Sequence, residues 1–238
     1  MGEVERLSTG CPAIDELLEG GFERASVTQV YGPPASGKTN LVLTAAVQTM
    51  LDGDRVLYID TEGFSPDRLE QILRGHGSEV SPDVTDRMVV THAYDFSDQR
   101  SAIQEVGDVA HDLDLVILDS ATGFYRLERT LDSTEGDALR AITHQIAQLL
   151  GLARKHRLAI VITNQVFADP DADRVRPLGG HTLAHWSGTI LRLDRFRGGR
   201  RRATLEKHRS LPAGDSAEFE ITEDGLTNAG SGGLPPYN

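Results

Sequence analysis

The chain has 238 residues, which is enough for one α/β domain with a substantial core or for two small domains. Its 24 Lys and Arg residues against 36 Asp and Glu residues give a net charge of −12, so it is unlike proteins that coat DNA through bulk positive charge. The single cysteine, Cys11, excludes an intrachain disulfide and a zinc site built from a cysteine cluster. Because no apolar run reaches about 18 residues and the first residues form no apolar segment, we expect a cytoplasmic protein with no membrane partner.

The basic residues are divided unevenly, with 3 Lys and 21 Arg. An acidic excess with few lysines is typical either of an ordinary acidic enzyme of the cytosol or of a protein from a high-salt cytoplasm. At molar salt the Debye length is about 3 Å, so repulsion among surface carboxylates is screened and the excess is tolerated. We favour the halophilic interpretation.

The halophilic interpretation predicts that the folded chain gains stability as the salt concentration rises. Unfolding followed by circular dichroism should give a higher midpoint in about 2 M KCl than in about 0.1 M KCl, because screening relieves carboxylate repulsion mainly in the compact state. Equal midpoints at the two concentrations would contradict the interpretation and leave the charge as that of an ordinary acidic enzyme.

Short β-branched runs alternate with amphipathic stretches along the first two thirds of the chain. The runs predict strands at residues 26–31, 55–60, 87–92, 115–119 and 158–163. The amphipathic stretches predict helices at residues 37–51, from Pro66 onward with Ser65 as the N-cap, at 99–111 and at 135–156. This alternation favours an α/β fold with a mainly parallel, twisted sheet that is covered by helices on both faces.

The last quarter of the chain has a different pattern. Two segments that alternate apolar and polar side chains flank Gly198–Gly199, at residues 189–196 and 201–207. They predict a C-terminal β-hairpin, and residues 217–221 are a candidate edge strand. We find no internal repeat and no interdomain linker, so we expect one domain over residues 1–225 and a flexible tail over residues 226–238.

Residues 32–39 read GPPASGKT and match the phosphate-binding pattern GxxxxGK[ST], after a predicted strand and at the start of a predicted helix. Glycines let the backbone wrap a phosphate, and N–H groups at a helix N-terminus point toward it. Since Pro33 and Pro34 have no N–H, the later residues of the loop should build the cradle. Lys38 should reach the β- and γ-phosphates of ATP, and Thr39 should ligate Mg²⁺. The predicted nucleotide-binding residues are Gly32, Ala35, Ser36, Gly37, Lys38, Thr39 and Asn40.

Polar residues follow three further strands, at the edge where the carboxyl ends of parallel strands meet. Asp119 ends the apolar run LVILD and is a candidate Mg²⁺ ligand; the alternative is a turn cap. Glu62 follows the run RVLYID and is a candidate for orienting the attacking water, with Asp60 as its rival. Asn164–Gln165 follows the run LAIVIT, where a polar side chain either senses the γ-phosphate or only closes a turn.

Five motifs, in their order and spacing, resemble the core of the RecA/RadA recombinase family over about residues 7–226. They are LSTGCPAIDELLEGGFERASVTQVYGPPASGKT, DTEGFSPDRL, LVILDSATGFYR, VITNQV and PLGGHTLAHWSGT. The resemblance implies a RecA-like P-loop ATPase core with ATP and Mg²⁺ as cofactors. It also implies that Glu62 is the catalytic glutamate and that Gln165 couples the γ-phosphate to a DNA-binding loop. With Lys38, these two residues form the predicted catalytic set.

The resemblance further implies two DNA-binding loops, at residues 126–134 and about 166–180. Their candidate phosphate contacts are Arg126 and Arg129 in the first loop and Arg174 and Arg176 in the second. The second loop also contains three aspartates, which repel a phosphodiester backbone; they are Asp169, Asp171 and Asp173.

Three residues of the last quarter are candidate contacts with the nucleotide of a neighbouring protomer. His185, in LAHWS, matches a family histidine that faces that nucleotide. Lys207 and Arg209 follow the predicted hairpin and resemble the trans-acting fingers of RecA-like ATPases, which stabilise charge on the transferred phosphoryl group. The alternative is a basic surface turn. The arginines around the hairpin tip form either a solvated turn or a phosphate-contacting edge.

Members of the family normally carry an N-terminal DNA-binding domain and a linker that docks on the next protomer, whereas this chain starts at the ATPase core. It therefore resembles an archaeal paralogue of RadA, which implies a weak, DNA-dependent ATPase that assists RadA in DNA repair and homologous recombination. The expected partners are DNA (single-stranded more than double-stranded), RadA and a second copy of the chain. The alternatives are an autonomous strand-exchange recombinase and a nucleotide-gated regulatory protein without a DNA role.

Overall fold

The computed structural model describes residues 4–77, 81–125, 135–169, 174–196 and 199–230. Its strands are β1 (Arg6–Leu7), β2 (Phe22–Glu23), β3 (Ser26–Tyr31), β4 (Val56–Asp60), β5 (Met88–His92), β6 (Leu115–Asp119), β7 (Ala159–Asn164), β8 (Val166–Asp169), β9 (Arg174–Pro177), β10 (Thr189–Arg195), β11 (Arg200–Lys207), β12 (Ser216–Thr222) and β13 (Gly225–Asn228). Its helices are α1 (Pro12–Leu17), α2 (Lys38–Leu51), α3 (Pro66–Gly75), α4 (Pro82–Thr85), α5 (Phe96–Val109), α6 (Glu135–His156) and α7 (Gly180–Trp186), with a 3₁₀ turn at Ala110–Asp112. Within these ranges, no helix has both the length and the apolar character that crossing a bilayer requires.

One nine-stranded sheet forms the centre of the molecule, in the order β13–β12–β11–β10–β3–β7–β6–β4–β5. The neighbouring pairs from β10 to β5 are parallel. The pairs from β10 to β13 are antiparallel. Strands β1–β2 and β8–β9 form two small separate ladders. The predicted mainly parallel sheet with a C-terminal hairpin is therefore confirmed.

Helices cover both faces of the sheet because the side chains of its inner strands alternate between two apolar cores. In β4, Tyr58 joins the core that contains α2, and Ile59 joins the core that contains α5 and α6. In β6, Ile117 and Leu118 separate in the same way. The α2 helix is buried along most of its length, so the loop that precedes it is held against the sheet.

Side-chain caps decide where two helices begin. Ser65 caps α3 as predicted, with its Oγ accepting the backbone N–H of Arg68 at 3.3 Å. The α5 helix begins at Phe96, three residues before the predicted start, because the Asp95 side chain accepts the N–H of Asp98 at 2.8 Å.

The sheet continues past the predicted end of the domain. Strand β13 pairs with β12, and Leu226 is buried in the core that contains α2. Residues 226–228 therefore belong to the sheet, and the division of the chain into one domain and a flexible tail stays a prediction. Residues 231–238 of the predicted tail lie outside the described residues.

Candidate nucleotide-binding site

The phosphate-binding loop lies between β3 and α2, at the carboxyl edge of the parallel strands. Its backbone is left-handed at Ala35 (φ 60°) and at Gly37 (φ 105°), and Gly37 is the N-cap of α2. A Cβ at Gly32 would lie 2.3 Å from the carbonyl oxygen of Leu193, so only glycine fits between the loop and β10. The predicted strand–loop–helix context of GPPASGKT is confirmed.

The polar groups of the loop suit a phosphate. Ser36 is fully buried, and its Oγ has no hydrogen-bond partner among the described residues. Lys38 Nζ donates to two carbonyl oxygens of the loop, at 2.9 and 3.2 Å. Burial lowers the pKa of Lys38, whereas the carboxylates of Glu62 and Asp119 act in the opposite direction. A helix N-terminus, a buried hydroxyl and an ammonium group thus converge on one loop.

Asp119 ends β6 beside the loop and is 3% exposed. Its carboxylate accepts hydrogen bonds from the hydroxyls of Tyr58, at 2.6 Å, and of Thr163. Burial raises the pKa of Asp119, and its contacts with Thr163, Tyr58 and Thr39 oppose that rise. A divalent cation would offset the cost of burying this carboxylate, and carboxylate and hydroxyl oxygens are ligands that Mg²⁺ prefers. Asp119 and Thr39 therefore fit the predicted metal.

The two rival carboxylates after β4 have different surroundings. Asp60 is buried, accepts three backbone N–H groups of the following turn at 2.8–3.2 Å, and lies 3.0 Å from His92 Nδ1. Burial acts to raise the pKa of Asp60, but these hydrogen bonds outweigh it and lower the pKa. Glu62 is exposed, and its Oε1 accepts from Ser120 Oγ and Gln165 Nε2, both at 2.6 Å. Asp60 therefore holds the turn, and Glu62 is the better candidate for orienting water.

Gln165 connects Glu62 to the segment that follows β7. Its backbone N–H donates to Thr122 Oγ1 at 3.2 Å, and its carbonyl oxygen accepts from Leu178 N at 2.9 Å. The neighbouring Asn164 is fully buried and donates to the Leu178 carbonyl oxygen at 2.8 Å. These bonds close the base of the β8–β9 hairpin. Of the two candidate side chains, Asn164 closes the turn and Gln165 lies at the site.

The predicted DNA loops lie only partly within the described residues. Arg126 and Arg129, with the rest of the first loop at residues 126–134, lie outside them. The second loop contains the β8–β9 hairpin, and the backbone of Arg174 and Arg176 lies in β9. The DNA contacts of these four arginines stay predictions.

The three candidate trans-acting residues lie near the amino ends of the parallel strands, at the opposite edge from the phosphate-binding loop. His185, Lys207 and Arg209 line one cleft of about 180 Å³. Lys207 Nζ donates to two carbonyl oxygens at the end of α7, both at 2.7 Å. Arg209 donates to the buried Glu23 carboxylate at 2.6 and 3.1 Å. Action of these residues on a nucleotide therefore requires the phosphate-binding loop of another copy of the chain.

His208, between Lys207 and Arg209, is predicted to make folding stability depend on pH. Its side chain is 1% exposed, and its Nδ1 accepts the backbone N–H groups of Ser210 and Leu211. Burial lowers the pKa of His208, although the nearby Glu23 carboxylate acts in the opposite direction. Because the pKa of His208 is lower in the folded chain than the value of about 6.5 in the unfolded chain, acidification favours the unfolded chain. The contribution of His208 to folding stability is therefore complete above about pH 6.5 and is lost as the pH falls below that value.

Free energies of unfolding measured between pH 5 and pH 8 test this prediction. The loss of stability on acidification should be smaller in His208→Asn, whose Oδ1 can still accept the backbone N–H groups. His76→Asn, at an exposed position, is the matched control and should behave as the wild type does. The prediction fails if His208→Asn and the wild type lose stability equally.

Sequence reasoning missed the hydroxyl groups that hold the two carboxylates of the site. Tyr58 and Thr163 donate to Asp119, and Ser120 donates to Glu62. For Tyr58, the signal is its position within β4. Tyr58 lies two residues before Asp60, which pairs with Asp119 across the sheet, so the two-residue period puts Tyr58 on the same face.

Arg68 was also missed, and no local signal could have found it. Its Nε donates to Asn40 Oδ1 at 2.9 Å, so the predicted nucleotide-binding residue Asn40 is tied to α3. Its terminal nitrogens donate to the carbonyl oxygens of Thr222 and Glu223, both at 2.8 Å. These two partners follow Arg68 by more than 150 residues, so only the folded chain brings them together.

Comparison with known proteins agrees with this geometry. The sequence matches the Rad51 family over residues 2–229. It is 56% identical over 225 residues to the DNA repair and recombination protein RadB of Halobacterium salinarum, covering 94% of this chain and 95% of that protein. It is 43% identical over 228 residues to the DNA repair and recombination protein RadB of Methanoculleus marisnigri, covering 94% and 98% of the two chains.

A solved structure extends the agreement to the fold. A crystal structure of the RadB recombinase aligns with a TM-score of 0.80 at 40% sequence identity, covering 93% of this chain and 99% of that chain. The predicted RecA-like fold is thereby confirmed. The chain belongs to the Rad51 family, and within it to the group of RadB proteins.

Proposed function

We propose that this chain is an ATP-binding, slowly ATP-hydrolysing accessory protein of DNA repair and homologous recombination in the cytoplasm. Its nucleotide state would control its binding to single-stranded DNA and to the RadA recombinase. The observation that carries the proposal is the arrangement at the carboxyl edge of the sheet. There Lys38 lies near the carboxylates of Glu62 and Asp119, and Gln165 is hydrogen-bonded to Glu62. The similarity to proteins named for DNA repair and recombination supports the biological setting.

Each residue of this arrangement has a distinct part in ATP hydrolysis. Lys38 and the N–H groups at the start of α2 bind the phosphate oxygens and offset their charge. Thr39 and Asp119 would hold Mg²⁺, which would neutralise part of the negative charge on the phosphates during the reaction. Glu62 orients the attacking water through Oε2, the oxygen that accepts no hydrogen bond from the described residues.

Gln165 supports a coupling between the nucleotide and DNA. Its side chain contacts Glu62, while its backbone closes the base of the β8–β9 hairpin. A γ-phosphate that competes for the Gln165 side chain would alter this base and hence the position of the hairpin. Arg174 and Arg176 in the hairpin, with Arg126 and Arg129 in the first loop, would then contact DNA phosphates.

Binding of a labelled single-stranded oligonucleotide, measured by fluorescence anisotropy, tests the proposal. The measurement is made with ADP, with ATP and with a non-hydrolysable ATP analogue, at several KCl concentrations, with and without RadA. We expect ATP to strengthen binding to DNA or RadA and hydrolysis to be slow. Gln165→Ala should keep ATP affinity and lose the difference between ATP and ADP, whereas Gln104→Ala, at an exposed position of α5, should keep both.

A strand-exchange reaction and the same binding assay separate the other candidate functions. Strand exchange by the chain alone would identify an autonomous recombinase and overturn the accessory role. ATP binding without any binding to DNA or RadA would instead favour a nucleotide-gated regulatory protein.

Self-association would bring His185, Lys207 and Arg209 to the nucleotide of a neighbouring copy. The three residues share one cleft at the opposite edge from their own phosphate-binding loop, which supports a contact between copies. ATPase activity of Lys207→Ala, measured at concentrations where the chain self-associates, tests this role. Unchanged activity would exclude it.

A further inference from the structure

Three consecutive arginines at the start of β11 do not share one environment. Arg200 and Arg202 both lie near Glu218 on β12, at 3.9 and 2.8 Å. Arg201 points to the other face of the sheet, as the two-residue period of a strand requires. Its cross-strand partner on β12 is Phe219, which is buried in the core that contains α2. The face that carries Arg201 is therefore the one against which α2 and its preceding loop pack.

Arg201 lies directly against the phosphate-binding loop. A Cβ at Gly37 would lie 3.2 Å from Arg201 Cδ and 3.5 Å from its Nε. The Nε atom is shielded from solvent and has no hydrogen-bond partner in the described part of the chain. One terminal nitrogen donates to the carbonyl oxygen of Gly199 at 2.5 Å. Ion pairs among the described residues of β10 and β11 involve Arg192, Arg200 and Arg202, and none involves Arg201.

A second arginine lies opposite Arg201. Arg195 on β10 is its cross-strand partner, so both side chains start from the same face of the sheet. Like charges directly opposite each other destabilise a sheet. Burial, followed by the charge of Arg195, lowers the pKa of Arg201. A chain with 36 acidic residues nevertheless places none of its described carboxylates in an ion pair with this arginine. The arrangement costs stability that a bound anion would restore.

We propose that Arg201 binds the phosphate groups of a nucleotide held in the phosphate-binding loop of the same chain, with Arg195 strengthening the positive field. The inference rests on the ATP binding proposed above and adds a binding residue to it. Gly37 is the N-cap of α2, whose free N–H groups bind the same anion, so a guanidinium packed against Gly37 is within reach of it. Lys38 approaches the phosphates from within the loop, and Arg201 approaches them from the flanking strand.

Arginine suits this position better than lysine. Its planar guanidinium presents a fork of donors that binds phosphate oxygens bidentately, and it stays charged when partly buried. Arg201→Lys should therefore recover only part of the affinity that Arg201→Gln loses.

Dissociation constants for fluorescent analogues of ATP and ADP, measured on the full chain, test the proposal. Arg201→Gln is expected to weaken both by about tenfold, the loss typical of one charge-assisted contact. Arg200→Gln is the matched control, because Arg200 precedes Arg201 on the opposite face and forms only an exposed ion pair; it should stay within about twofold of the wild type. Arg195→Gln leaves Arg201 in place and should weaken binding less than Arg201→Gln does.

Thermal unfolding without nucleotide distinguishes a binding role from a structural one. Arg201→Gln should keep or raise the midpoint, because it removes an uncompensated charge, and it should show a smaller rise on adding ATP. If Arg201→Gln unfolds earlier, Arg195→Gln decides: a weaker ATP affinity supports the proposal, and an unchanged affinity overturns it.

Failure of the role of Arg201 and failure of the proposed function give different results. Wild-type affinity in Arg201→Gln, or equal losses in Arg201→Gln and Arg200→Gln, would overturn the role of Arg201 and leave the proposed function intact. A wild-type chain that binds no ATP would refute the proposed function itself.

Discussion

Replacing Lys38 with alanine is expected to weaken ATP binding by at least about 100-fold. Lys38 is the lysine of the phosphate-binding loop, and the nearby carboxylates of Glu62 and Asp119 act to raise its pKa. Without the positive ammonium group, the negative charge of a triphosphate is repelled more strongly by these two carboxylates. This repulsion adds to the loss of the hydrogen bonds from Lys38. Titration calorimetry with ATP in a Mg²⁺ buffer measures the change.

Lys155→Ala is the matched control for this experiment. Lys155 is exposed in the last turn of α6 and should be replaceable without an effect on ATP affinity. Unfolding of both variants without nucleotide is measured as well, because Lys38 also donates to two carbonyl oxygens of its loop. Equal ATP affinities for the wild type and Lys38→Ala would show that the loop is not a nucleotide site.

Glu62→Gln is expected to lower the kcat of ATP hydrolysis by about 100-fold or more and to leave ATP affinity within about twofold. The amide oxygen of glutamine can accept the same hydrogen bonds from Ser120 and Gln165, so the side chain keeps its position. The amide nitrogen takes the place of an oxygen and cannot accept a proton from water. Phosphate release in single-turnover reactions, with parallel binding measurements, separates the chemical step from binding.

Asp60→Asn is the matched control, because Asp60 is the rival carboxylate two residues away. Its oxygens accept three backbone N–H groups and lie against His92, and an amide nitrogen cannot replace all of these acceptors. We expect the free energy of unfolding to fall by about 1–3 kcal/mol with a smaller change in kcat than in Glu62→Gln. Loss of hydrolysis in Asp60→Asn with normal turnover in Glu62→Gln would reverse the assignment of the two residues.

Elements whose signals are local could be predicted from the sequence. The strand at residues 26–31, the GPPASGKT loop and the helix behind it follow from a buried β-branched run, glycines that permit left-handed backbone, and a helix N-terminus. Ser65 as the N-cap of α3 and Asp119 at the end of β6 were predictable for the same reason. Each of these features depends on residues that are close together in the sequence, so their spacing determines where they lie in space.

Asp60 and Glu62 show a question that sequence position does not answer. Both follow the same strand, and position alone does not say which carboxylate turns into the loop backbone. The folded chain decides, because three backbone N–H groups bind Asp60. Ser120 and Gln165, which directly follow β6 and β7, donate to Glu62. Strand β13 is a second case that local sequence did not predict. Its segment contains Gly and Asn, which are typical of turns, and only the folded chain shows that its leucine, Leu226, is buried in the core.

The basic residues of the last quarter of the chain show most clearly what the sequence determines and what only the tertiary structure decides. Length, acidic charge, α/β pattern and the phosphate-binding loop were determined by the sequence itself. Which basic side chains lie near that loop was decided by the tertiary structure. Lys207 and Arg209 contact α7 and Glu23 at the opposite edge of the sheet, whereas Arg201 packs against Gly37. The hairpin pattern predicts alternation but not which face meets α2. Only the folded sheet decides that, because β10 pairs with β3 and thereby brings Arg201 against Gly37, which lies more than 160 positions earlier in the chain.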